Sequence, residues 1–214
     1  STASFINQVI VTSGSFSVTG TLNYGSNATA ANEIISVTSG ILTFSSPLTL
    51  TSGTLRNITS AGTINLNGGL TFGSTNTPSF STLSGTNINW GGNISVATTA
   101  LTLNGSTNST FTDTSSVTAT AALSFGNVQV NNAMLVTLNN DITVAGNWTN
   151  NGGILSGGAN TITFSGASKT IGGTSSTNFP KIAIGTGATY TLNTNQTATQ
   201  LTFNANANIA PYIT

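Results

Sequence analysis

Apolar residues recur at every second position along most of the chain. Phe16 and Val18, Leu48 and Leu50, Ile64 and Leu66, Ile88 and Trp90, Ile94 and Val96 are examples. Val128 and Val130, Ile142 and Val144, Ile162 and Phe164, Ile182 and Ile184, Leu201 and Phe203 continue the pattern. Period two puts alternate side chains on one face of an extended strand, and no window keeps the helical period. Each apolar beat is short, about 3–6 residues, as strands commonly are. Between beats lie TSG, NGG, WGG, NNGG, SGG and IGG, clusters that mark turns. The prediction is an all-β chain of many short strands.

Such strands suit a sandwich, a barrel or a solenoid. Internal similarity favours the solenoid. Phe125–Asn150 aligns with Phe179–Asn204, with Phe125/Phe179, Thr137/Thr191, Leu138/Leu192, Asn139/Asn193, Thr143/Thr197 and Asn150/Asn204 identical. Val128/Ile182 and Val130/Ile184 are conservative. The reading is one domain over residues 1–214, a parallel β-helix of roughly 8–11 short coils. The alternative is an Ig-like β-sandwich pilin, whose N-terminal strand would complete the sheet of the next subunit.

Charge sharpens this picture. Charged residues are only 3% of the chain, three cations against three acids, where about 25% is usual. Thr (42), Asn (28), Ser (27) and Gly (24) carry the polarity instead. Coils stacked about 4.8 Å apart would place like charges directly over one another, which destabilises. Stacked Thr and Asn can hydrogen-bond between coils, and Gly and Asn suit the corners. A solenoid therefore selects against charge.

The same composition excludes most chemistry. With no His and no Cys, Ser–His and Cys–His nucleophile pairs cannot form, nor can thiolate metal sites. Only Glu33, Asp113 and Asp141 could supply paired carboxylates or a hard-cation site, and no recurrent Asp accompanies "NNGGILSGG". "SGASKTIGG" lacks phosphate-loop spacing. Trp90 and Trp148 are expected as buried aromatics at coil corners, and the Phe residues as core. No enzyme, cofactor or metal is expected. Three scattered cations cannot neutralise a nucleic-acid backbone, and no apolar run is long enough for a membrane helix.

One stretch, "VTLNNDITVAGNWTNNGGILSGGANTITFSGASKTIGGTSSTNFPKIAIGTGATYTLN", carries a GNWTNNG element, a TITFSG element, a TIGG element and a Phe-x-x-Ile-x-Ile element. It resembles the Gly/Asn/Thr-rich repeat regions of large secreted bacterial surface and adhesin-like proteins. The clear likeness covers about residues 125–203. The resemblance implies a β-helical, extracellular or cell-surface, non-catalytic protein.

Function would then come from shape. Both termini keep the strand alternation, so the stack is expected to end in open edges that pair head to tail into a filament. Phe5, Val9, Val11, Phe203, Ile209, Tyr212 and Ile213 are the expected assembly residues. The chain itself is the expected partner, with surface glycans or other cells as further partners if the chain is an adhesin stalk. Sequons at Asn27, Asn57, Asn93, Asn104, Asn108, Asn147 and Asn195 are no more numerous than chance gives, and matter only in a glycosylating host. Thr49/Thr51, Thr161/Thr163 and Thr189/Thr191 have the spacing of the threonine ranks of ice-binding solenoids, a remote alternative.

Overall fold

The computed structural model describes residues 8–20, 22–23, 33–50, 55–72, 80–82, 85–103 and 105–211, with backbone alone for 8, 22–23, 33–34, 55–60 and 80–82. All described strands pair in parallel, and no helix occurs among the described residues. The chain is a β-solenoid. Its first coil holds β1 (Gln8–Val11), β2 (Ser15–Val18) and β3 (Leu22–Asn23); its second holds β4 (Glu33–Val37), β5 (Ile41–Phe44) and β6 (Leu48–Leu50). The third is β7 (Leu55–Ser60), β8 (Thr63–Leu66) and β9 (Leu70–Phe72), and the fourth β10 (Phe80–Thr82), β11 (Asn87–Trp90) and β12 (Ile94–Val96). The fifth is β13 (Leu101–Thr102), β14 (Asn108–Phe111) and β15 (Ser115–Ala119). The sixth is β16 (Leu123–Phe125), β17 (Asn127–Val130) and β18 (Leu135–Leu138). The seventh is β19 (Ile142–Val144), β20 (Trp148–Asn150) and β21 (Ile154–Ser156). Three two-stranded coils follow: β22 (Thr161–Phe164) with β23 (Lys169–Gly173), β24 (Asn178–Ile184) with β25 (Thr189–Leu192), and β26 (Thr197–Phe203) with β27 (Asn208–Ala210).

The second strand of each coil joins one ten-stranded sheet from β2 to β27, the long face. The third strands, β3 to β21, form a seven-stranded sheet. The first strands form a four-stranded sheet, β1 to β10, and a six-stranded sheet, β13 to β26; β10 lies against β13. The long face therefore holds ten strands.

Alternation builds the core directly. One inward file of the long face runs Phe16, Leu42, Ile64, Ile88, Ser109, Val128, Trp148, Ile171, Leu192. A second runs Val18, Phe44, Leu66, Trp90, Phe111, Val130, Asn150. Between the ends of these files, Leu, Val, Ile and Phe are almost wholly buried, each stabilising by about 1.5–3 kcal/mol. Ser109 and Asn150 are the buried polar members of these files, and the Asn150 amide is fully used. Its Oδ1 accepts the Gly152 and Gly153 N–H groups at 3.0 and 2.8 Å, and its Nδ2 donates to the Gly153 and Ser176 carbonyls at 3.2 and 2.8 Å.

Outside, the coils are tied by amide ladders. Asn108 Nδ2 donates to Asn87 Oδ1 and Asn127 Nδ2 to Asn108 Oδ1, both at 2.9 Å. Asn127 Oδ1 then accepts the Asn147 N–H at 2.8 Å, and Asn147 Oδ1 the Thr170 N–H at 2.9 Å. A parallel ladder links Thr43, Asn65 and Asn89. Corners stack as tightly. Gly69 has φ +91°, and a Cβ there would lie 2.2 Å from the Asn93 carbonyl oxygen, so no other residue fits.

Three expectations need correction. The sandwich alternative is absent, because every described pairing is parallel where a sandwich is antiparallel. Trp90 and Trp148 are buried as expected but occupy strands β11 and β20 rather than corners. The copies at Phe125–Asn150 and Phe179–Asn204 are not in structural register. Val128 lies in β17 of the long face and Ile182 in β24 of the six-stranded sheet. Every face alternates alike, so an alignment can slip from one face to the next without losing its apolar matches.

Candidate functional site at the ends of the stack

The last coil shows what an uncovered rung looks like. In the six-stranded sheet one inward file runs Ile142, Ile162, Ile182, Leu201, and another Val144, Phe164, Ile184, Phe203. Ile182 and Ile184 are 5% and 0% exposed; Leu201 and Phe203, one rung on, are 47% and 49% exposed. All seven residues of β26 are exposed. Leu201 and Phe203 are as apolar as Ile182 and Ile184 beneath them, but no strand lies above them among the described residues. β26 and β27 are also the terminal strands of their sheets. Between them a recess of about 170 Å³ opens, lined by Ile171, Ile182, Leu192, Ala198, Leu201 and Ile209 together with the polar Gln196 and Thr197.

At the opposite end Phe16, the first residue of its inward file, is 43% exposed. Ile10 is 55% exposed on the outer side of β1. Val9 and Val11, expected at an open edge, are instead buried at 8% and 6%. They alternate inward on either side of Ile10. Phe203 is exposed as an end residue should be, and Ile209 is half-buried over the core. Phe5, Tyr212 and Ile213 lie outside the described residues. Phe16 and Leu201 escape sequence reasoning because their signal equals that of any core position; what sets them apart is rank in the stack. No charged residue occurs in β1, β2, β26 or β27.

Beneath the last rungs sits an aromatic cluster. Trp148 contacts Phe164 and Phe179, and Phe164 contacts Tyr190 with ring centroids 5.1 Å apart. Trp148 Nε1 donates to Thr177 Oγ1 at 3.0 Å. The Tyr190 hydroxyl accepts from the Gly166 N–H at 3.1 Å and lies 3.1 and 3.0 Å from the Val144 and Gly146 carbonyls, to which it donates. Burial pushes the Tyr190 phenol up to about 12, the Gly166 hydrogen bond pulling the other way. This phenol ties coils together.

The acids are apart from this region. Asp113 Oδ1 accepts the Thr114 N–H and Asp141 Oδ1 the Thr161 N–H, both at 2.7 Å and both exposed. Glu33 is a backbone member of β4. Among the described residues no group of three or more His, Cys, Asp or Glu could hold a metal.

The sequons divide by structural duty. Asn93 accepts the Ser116 N–H at 2.9 Å, and Asn108 and Asn147 belong to the amide ladder. Asn195 is exposed after β25. Asn57 is in β7, described as backbone alone, while Asn27 and Asn104 lie outside the described residues. Among the described residues the threonines stack singly rather than as a double rank: Thr49 pairs with Thr71, Thr163 with Thr143 and Ala183, Thr191 with Thr170 and Ala210, while Thr161 pairs with Lys181. Thr51 lies outside the described residues.

Comparison with protein-family models, curated proteins and solved structures returned no match.

Proposed function

We propose that this chain is a non-catalytic structural protein of the cell exterior, a subunit that stacks head to tail through the ends of its solenoid into a filament. The observation that carries the reading is the uncovered last rung. Leu201 and Phe203 continue buried files yet stand half exposed, on a strand whose outer edge has no partner strand among the described residues. An apolar edge of unpaired backbone groups templates another strand. Identical subunits joined end to end by translation form an open polymer rather than a closed ring. The near absence of charge supports close association, since nothing at either end repels its neighbour. The extracellular setting rests on the resemblance of residues 125–203 to surface-protein repeats.

The open rung also favours a second reading, in which further coils of a longer surface protein continue the stack and the chain is a stalk or binding segment. Electron microscopy and sedimentation velocity of the purified chain, at low and high salt, separate the two. Rods that lengthen with concentration at both salt levels support the filament. Particles that stay monomeric at high concentration reject it and leave the stalk.

A further inference from the structure

Neighbouring coils in the three-stranded part of the stack share three parallel ladders, one on each face. Coils four and five are the exception among the described residues. There β11 pairs with β14 and β12 with β15, but β10 only lies against β13, and the two sheets of first strands end at this point. Three further features gather at the same plane. Trp90 Nε1 and Ser109 Oγ are buried without a hydrogen-bond partner, and they stand on β11 and β14, strands that join the two coils. Of the six buried polar residues in the described chain, four (Thr86, Thr107, Ser109 and Ser115) belong to these two coils. The connection from β12 to β13 turns at Thr98, a β-branched residue held at φ +63°, with the Thr99 N–H donating to the Ala97 carbonyl at 2.7 Å. A three-residue turn of that hand is rare and strained.

We infer that the solenoid carries a parting plane between its fourth and fifth coils, at which coils one to four open as a unit while coils five to ten stay folded. It stands apart from the filament reading. The stability of a stack is a sum over coils and the interfaces between them. A missing ladder and unpaired polar groups at one interface therefore divide the stack there. The seventh and eighth coils also share two ladders, but side chains bridge that step. Trp148 contacts Phe164 and Phe179, and the Tyr190 hydroxyl reaches back to the Val144 and Gly146 carbonyls. The same rings decide which part holds. Every ring contact among the described residues lies within coils five to ten, except that of Trp90 on Phe125 at 6.2 Å. Opening lets water reach Trp90 and Ser109 and meet their unmade hydrogen bonds. It also bares Phe111 and Val117 of coil five, the partners of Trp90 and Ile94. The plane is thus a latent second end of the stack, with a free apolar edge like that of β26.

Hydrogen exchange with mass spectrometry on the dilute full chain, stepped through increasing urea, tests this. Peptides from residues 33–50, 55–72 and 85–96 should lose protection together over one urea interval, while those from 108–203 keep theirs until a second, higher one. Ser109→Val combined with Thr98→Gly removes an unpaired hydroxyl and the strained φ. The pair should move the first transition to higher urea and leave the second in place; Ser109→Ala with Thr98→Gly serves if valine overpacks. Asn127→Ala, in the ladder of the sixth coil, should lower the second transition and not the first. Loss of protection from all coils over a single interval, release of coils one at a time from an end, or a boundary at another pair of coils overturns the parting plane. So does a first transition that both paired substitutions leave where it was.

Discussion

The Tyr190 hydroxyl offers the sharpest quantitative check on the packed interior. In the unfolded chain a phenol ionises near pH 10; here burial holds it neutral to about 12. Between those values the unfolded state releases a proton that the folded state keeps. Stability contributed by the neutral phenol is thus complete below pH 10 and is lost as pH rises towards 12. A shift of about two units corresponds to roughly 2–3 kcal/mol, a fall in midpoint of several degrees for a chain of this length. Tyr190→Phe removes the titrating group and its bonds to Gly166, Val144 and Gly146. It should cost about 1–3 kcal/mol at neutral pH. The gap between the two proteins should then close as pH approaches 12. Thermal unfolding followed by circular dichroism, at pH steps from 7 to about 12, measures both curves, and ultraviolet absorbance reports phenolate directly. Parallel curves for native and Tyr190→Phe protein above pH 10 would refute the buried, hydrogen-bonded phenol.

Other perturbations probe the files, ladders and corners. Asn127→Ala removes two ladder hydrogen bonds and should destabilise by about 1–2 kcal/mol; Asn195→Ala, on an exposed side chain, should leave the urea midpoint unchanged, and equal effects would deny the ladder its role. Ser109 Oγ is buried without a partner between Ile88 and Val128. Ser109→Val should raise stability by about 1 kcal/mol or more in chemical denaturation, with Ser109→Ala as the check should Val overpack; destabilisation by both would show that the hydroxyl is satisfied. Gly69→Ala combines a positive φ with backbone 2.2 Å from its new Cβ. It should cost about 2 kcal/mol or more in the same assay, against a smaller loss for Gly14→Ala, which has φ +73° but nothing within 4 Å.

Much of the fold was legible because a solenoid is a local code. Period-two beats such as Ile162–Phe164 declare a strand and its inward face, and corners such as Asn67–Gly68–Gly69 declare its end. Scarcity of charge then separated coil from sandwich, for a reason the Asn87–Asn108–Asn127 ladder makes concrete: each rung sets identical groups against one another. Register along the axis was not legible. Pairing partners lie 19 residues apart at Asn108/Asn127 and 26 at Ser15/Ile41, so no fixed period marks which face a beat occupies. The slip of Val128 onto Ile182 follows from that. The candidate site was half legible for a related cause. Strand ends at Phe203 and Ile209 could be named from position, but exposure is decided by the rung above or below. Val9 and Val11 therefore proved buried while Phe16 and Leu201 proved open.

The claim that the last rung is an unfilled strand-pairing edge is tested most directly by amide hydrogen exchange as a function of protein concentration. In dilute solution the peptides covering β26 and β27 should exchange fast on their outer edge, while β17 and β20, paired on both sides, stay protected. On raising the concentration, protection should appear at Thr197–Phe203 and Asn208–Ala210, and at Ser15–Val18 at the other end, with the interior unchanged. Exchange at β26 and β27 that is already slow when dilute, or that stays fast at every concentration, would contradict the account.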